Sequence, residues 1–214
     1  MNPIVKIKIC GLRRKEDIVI VNETEPDYIG FVFADSKRQV SEETASELAG
    51  MLKPQIRKVG VFVDAPPEQI IRLLQAGVID LAQLHGAESE AEVCRIKEVT
   101  GKEVIRTRIV SAVDGMQGFD TEADYLLFDS GKGSGKVLEW QNLAKHTDVG
   151  KPYFLAGGLN PENVTEAFAQ LRGNLPYAVD VSSGVETDGY KDIRKVREFI
   201  EKVRRWRSNA VEEI

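Results

Sequence analysis

Only two cysteines occur in 214 residues, Cys10 and Cys94, and they match no CxxC pair and no zinc-ligand spacing. A disulfide scaffold is thereby excluded, and both are expected to be free thiols. Histidine is equally scarce. His85 and His146 lie far apart without paired carboxylates, so no metal site and no cofactor is expected. No apolar run approaches the roughly 18 residues a membrane helix requires, and the opening residues interrupt their apolar stretch with Lys6 and Lys8 and show no small-residue cleavage site. The expectation is a soluble, cytoplasmic chain with no membrane partner. Positive charge is not in excess either: 29 Lys and Arg stand against 34 Asp and Glu, net −5, and the cations are scattered. A nucleic-acid partner is not expected, and an anionic small molecule would need a local positive pocket.

What the chain does contain is a regular alternation. Short apolar or alternating runs, consistent with strands over 4–10, 28–33, 58–63, 80–84, 103–109, 125–129, 153–156 and 178–182, end at glycine or polar residues. Charged segments of helical spacing follow them over 14–23, 42–52, 67–75, 89–99, 141–145, 161–171 and 193–205, with a poorly marked fifth helix in 111–120. Ser41, Ser89 and Asn160 are the expected N-caps, with Pro161 at the first helical position. Repeated βα units of this length predict a parallel sheet, and eight of them predict an α/β fold of the single-domain (β/α)8 TIM-barrel class. The barrel is expected over 1–206, with a polar C-terminal tail over 207–214 that frays.

Side chains alternate between the helix layer and the barrel interior, so strand parity is readable from the sequence. Ile7 and Ile9 fall on one side of the first strand. Lys6, Lys8 and Cys10 fall on the other, which lysine marks as the interior rather than the helix-packed side. The same reasoning turns Asp129, Asp180 and Ser182 inward, groups Gln83 with His85, and groups Arg106 with Arg108, barring a bulge. Polar groups thus collect at the C-terminal strand ends, where barrel enzymes carry out their chemistry. Each has a bland alternative. Cys10 could be a small core residue, yet it ends a strand and precedes Gly11, where the backbone can turn over the barrel mouth. Asp129 could cap a turn, or desolvation after Leu126-Leu127-Phe128 could keep it available as an acid. His85 could be a satisfied core histidine or a loop donor, and Arg38 an ordinary solvated charge. Lys8 and Asp180 share inward parity on strands that meet when the barrel closes. They are expected to pair and set the charge around Cys10, unless each separately bonds substrate or water.

Two segments suggest an anion grip. Ala156-Gly157-Gly158-Leu159-Asn160-Pro161 leads a strand into a helix through paired glycines that free backbone N–H groups. Ser182-Ser183-Gly184 follows the next strand with hydroxyl and amide donors, and phosphate sites in this fold are often built after strands seven and eight. Either segment alone could be a plain tight turn. The stretch Gly131-Lys132-Gly133-Ser134-Gly135-Lys136 resembles a P-loop only loosely and reads as a lid over the site.

Taken in order, Lys8-Ile9-Cys10-Gly11, Gly30-Phe31-Val32-Phe33 with Ser36-Lys37-Arg38, Val59-Gly60-Val61-Phe62-Val63, Gln83-Leu84-His85-Gly86, Gly133-Ser134-Gly135-Lys136, Gly157-Gly158-Leu159-Asn160-Pro161-Glu162-Asn163-Val164 and Asp180-Val181-Ser182-Ser183-Gly184-Val185-Glu186 closely resemble the phosphoribosylanthranilate isomerase family. The match runs from about Lys6 to Arg205. It departs at Leu138-Glu139-Trp140, where Phe-Asp-Trp is expected, and at Ala156, where serine usually precedes the glycine pair.

The resemblance implies a tryptophan-pathway isomerase acting on a small-molecule substrate, phosphoribosylanthranilate; either a monomer or a homodimer is expected. It implies Cys10 as general base, Asp129 as general acid and Arg38 as the anthranilate-carboxylate ligand. Gly157, Gly158, Asn160, Ser182, Ser183 and Gly184 would line the phosphate, Asp180 would bind substrate, and Lys8 and His85 would support. Acid and base need opposite protonation, so the thiol pKa is expected to fall beside Lys8 while that of Asp129 rises. A histidine-pathway isomerase of the same chemistry would rely on paired aspartates, against which Cys10 argues. An inert sugar-phosphate-binding barrel would need neither Cys10 nor Asp129.

Overall fold

In β1 (Lys6–Cys10), Ile7 and Ile9 are buried against the helices while Lys8 and Cys10 face the opposite way, as the alternation predicts. The structure is a computed structural model describing residues 5–109, 120–129, 150–171 and 174–212. The chain continues as α1 (Lys15–Thr24), β2 (Tyr28–Val32), α2 (Glu42–Gly50), β3 (Arg57–Phe62), α3 (Pro67–Gln75), β4 (Leu81–Leu84), α4 (Glu90–Thr100), β5 (Val104–Ile109) and β6 (Tyr125–Asp129). Then come β7 (Tyr153–Leu155), α5 (Val164–Gln170), β8 (Ala178–Val181), the two-residue strands β9 (Glu186–Thr187) and β10 (Tyr190–Lys191), and α6 (Ile193–Glu212). The last helix thus extends past the expected limit at Arg205. The expected helices over 111–120 and 141–145, the Gly-rich lid and Leu138-Glu139-Trp140 lie outside the described residues, Asp120 excepted.

Strands β1 to β8 pair in sequence order, each parallel to the next, and β8 pairs with β1 to close the barrel. Two apolar cores result among the described residues. Ile7, Ile9, Ile29, Phe31, Phe62, Leu126, Phe128 and Val179 join the helix faces in the outer one. Val59, Leu81, Ile105, Leu127 and Phe154 fill the interior together with Tyr28 and Tyr125. The interior is therefore a packed plug, and chemistry is confined to its C-terminal mouth.

Caps stop and start the helices as their chemistry demands. Ser41 accepts from the Thr44 N–H, and Ser89 forms a reciprocal capping box with Glu92. Asn160 is displaced from its expected role: α5 begins at Val164, with Asn163 at the cap position. The Asn160 side chain still accepts from the Asn163 N–H at 2.9 Å, so it closes a turn one step before the regular helix.

Candidate active site

The inner face of β1 carries Lys8 and, at its C-terminal end, Cys10. Lys8 is fully buried, and its Nζ donates to Asp180 Oδ2 at 2.9 Å. Burial works against that ammonium, but Asp180 and Cys10 outweigh it and raise the Lys8 pKa above its ordinary value. Room for the thiol comes from β2. Gly30 is the register partner of Cys10, and a Cβ there would stand 2.6 Å from Sγ. The expectation that Lys8 lowers the Cys10 pKa does not hold for the net effect. Burial pushes the thiol up and Asp180 adds to it, which outweighs the opposing pull of Lys8 and Lys191.

Across the mouth, Asp129 ends β6 with its carboxylate a quarter exposed, and His85 Nε2 lies 4.0 Å from Oδ2. Burial lowers the His85 pKa, favouring the neutral ring. Gln83 Nε2 stands 3.3 Å from His85 Nδ1. With the amide donating there, the ring proton sits on Nε2, directed toward Asp129.

The loops after β7 and β8 lie side by side. Gly157 and Gly158 have φ of 86° and 73°, and Gly184 packs so closely that a Cβ would stand 2.0 Å from the Leu159 carbonyl oxygen. Gly158 and Ser183 are exposed. Ser182 differs from the expected hydroxyl donor, because its Oγ already donates to the Cys10 carbonyl at 3.0 Å. Donors for an anion in this region would have to be chiefly loop amides, since α5 starts well beyond the glycine pair.

Arg38 is no solvated loop charge. Its Nε and Nη2 each donate to the Glu186 carboxylate at 2.7 Å, and its side chain is largely shielded. Glu186 also accepts from Lys191 Nζ at 2.8 Å, and Lys191 donates to the Ser182 carbonyl as well. Both partners belong to the β9–β10 hairpin, whose Asp188 and Gly189 have φ of 53° and 78°. An Asp-Gly pair with positive φ at both positions suits a two-residue hairpin, a signal present in the sequence yet unused there. Nothing in the linear sequence marks Lys191 as part of this cluster, and Glu186 stands out there only as the end of a motif.

Arg106 and Arg108 share one face of β5, as their parity predicts, but that face is the outer one. Ile105 and Thr107 face the interior, where the Thr107 hydroxyl stands 3.5 Å from Gln83, whereas Arg106 points outward. A buried acid accounts for it. Arg106 Nη1 donates to Glu88 at 3.0 Å, and that carboxylate also accepts from the Asp64 and Gly86 N–H groups. This network anchors the loop carrying His85.

Residues 7–202 match the family N-(5'phosphoribosyl)anthranilate (PRA) isomerase. A relative of that name from Thermoanaerobacter sp. (strain X514) is 46% identical over 203 residues, covering 94% of this chain and 98% of its own. Its counterpart from Acetivibrio thermocellus is 44% identical, covering 92% and 95%. Among solved structures, phosphoribosyl anthranilate isomerase from Thermotoga maritima superposes with a TM-score of 0.82 at 36% identity, covering 94% and 98%. Another structure of the enzyme, in complex with reduced 1-(o-carboxyphenylamino)-1-deoxyribulose 5-phosphate, gives 0.80 at 34% over the same shares. Match and geometry meet on one conclusion: this chain belongs to the N-(5'-phosphoribosyl)anthranilate isomerase family.

Proposed function

We propose that the protein catalyses the Amadori rearrangement of N-(5′-phosphoribosyl)anthranilate to 1-(2-carboxyphenylamino)-1-deoxyribulose 5-phosphate in tryptophan biosynthesis, with Cys10 as general base and Asp129 as general acid. Asp129 protonates the furanose oxygen, and the ring C–O bond breaks to leave a Schiff base on the anthranilate nitrogen. Cys10 then removes the C2′ proton, and the electron pair moves into the C1′–N system to give an enolamine that tautomerises to the ketone. The observation that carries this reading is the placement of thiol and carboxylate at the C-terminal ends of β1 and β6. A base with a raised pKa is less abundant at neutral pH but accepts a proton more strongly once formed, and the cations Lys8 and Lys191 favour that thiolate.

In this reading Gly157, Gly158, Asn160, Ser183 and Gly184 surround the phosphate, with Ser182 contributing mainly through its backbone. Arg38 takes the anthranilate carboxylate. Asp180 binds substrate beside its pair with Lys8; its second oxygen, Oδ1, is buried and has no hydrogen-bond partner among the described residues. His85 supports Asp129. Residues 1–206 form the catalytic domain, working in the cytoplasm as a monomer or homodimer. Mixing the protein with phosphoribosylanthranilate and following loss of its fluorescence tests the activity. Cys10→Ala and Asp129→Asn are each expected to retain substrate binding and to lower turnover by at least about 10². A variant of either residue within about tenfold of wild type would remove it from its role.

A further inference from the structure

We infer that Glu186 and Lys191 are positioning residues that turn Arg38 into an oriented carboxylate fork, and so set the preference of the site for a substrate bearing a carboxylate on its aromatic ring. This rests on the reading that Arg38 receives that carboxylate. Glu186 holds Arg38 through Nε and Nη2, each at 2.7 Å. A guanidinium has five N–H donors in a rigid plane, so among the described residues the edge formed by Nη1 and the second Nη2 hydrogen is left for another carboxylate. The stem is held as well: a Cβ on Gly11 would stand 2.4 Å from Arg38 Cδ, which places the arginine over the residue that follows Cys10.

The charge arrangement fits an anion. Arg38, Lys191 and Glu186 together leave one positive charge, and the Lys191 and Glu186 side chains are almost fully buried. Lys191 neutralises Glu186, so the carboxylate can grip Arg38 without cancelling its attraction for a ligand. Burial lowers the Lys191 pKa, with Glu186 opposing that effect, while Arg38 and Lys191 offset burial to hold the Glu186 pKa below its ordinary value. The hairpin is itself fastened down. Arg13 donates to the Lys37 and Gly189 carbonyls, the Arg13 and Arg14 guanidinium carbons lie 4.7 and 3.9 Å from the Tyr190 ring centroid, and Lys195 donates to the Glu186 carbonyl. Glu186 is therefore presented from a fixed frame.

The test compares two ligands by calorimetry: the reduced product analogue with its 2-carboxyphenyl group, and the phenyl counterpart lacking the carboxylate. In Glu186→Gln the first is expected to bind at least about tenfold more weakly and the second to change less than about twofold, with KM raised and kcat within about threefold. Glu186→Gln/Lys191→Met keeps the net charge at one positive and strands no buried ammonium. The same selective loss there assigns the effect to orientation, and this variant decides the matter if the single one does not fold. Equal or tighter binding of the carboxylate ligand would mean that Glu186 merely competes for Arg38, and equal loss for both ligands would mean a general structural role; either overturns the inference. Arg38→Ala separates the two levels. If it does not discriminate between the ligands, the underlying reading of Arg38 fails; if it does while both Glu186 variants do not, only the inference fails.

Discussion

Lys8 and Asp180 face each other across the seam that closes the barrel, as register partners on β1 and β8 with Nζ 2.9 Å from Oδ2. Their charges act on Cys10 in opposite directions, since Lys8 favours the thiolate and Asp180 opposes it.

Asp180→Asn is therefore expected to lower the Cys10 pKa and Lys8→Met to raise it. The pH dependence of alkylation at Cys10, measured with Cys94 replaced, reads both. In the wild type the midpoint should lie above that of an exposed thiol, because burial outweighs the nearby cations. An unchanged or higher midpoint in Asp180→Asn would show that the pair does not control the thiol.

Gly30→Ala tests whether the thiol depends on the space that β2 leaves for it. The new methyl would stand 2.6 Å from Sγ, so either the thiol or the strand must shift. Overpacking of this kind costs about 1–3 kcal/mol. Turnover should fall at least about tenfold as the reacting geometry is lost, with the barrel still folded by circular dichroism. Wild-type kcat in this variant would show that the position of Sγ is not tightly required.

Arg106→Leu addresses the loop that carries His85. Glu88 would keep its buried carboxylate and lose the only cation paired with it among the described residues. Breaking one side of a buried pair costs about 3–5 kcal/mol, against nearly nothing for an exposed one. Urea denaturation measures the loss, and a change below about 1 kcal/mol would place the pair in the weak class.

Much of the architecture was legible because local chemistry and fold agree. Ser41 and Ser89 cap as their spacing implies, and the inward side of β1 and β8 follows from charged residues alternating with Ile and Val. The rule that charge marks the interior broke at β5, where Arg106 found a buried acid on the outer side. Parity identifies two faces of a strand; it does not reveal which face offers a counter-ion.

By itself the sequence determined the eight-strand order, the face on which Cys10 and Asp129 stand, and the family pattern, because periodicity and motif order are properties of the chain taken in line. Only the tertiary structure decided that the Cys10 pKa rises, that the Ser182 hydroxyl is spent on a carbonyl, and that Arg38 is held by Glu186 from 148 residues away. Burial and ion pairing depend on distances between segments remote in sequence, and those distances exist only once the barrel has closed.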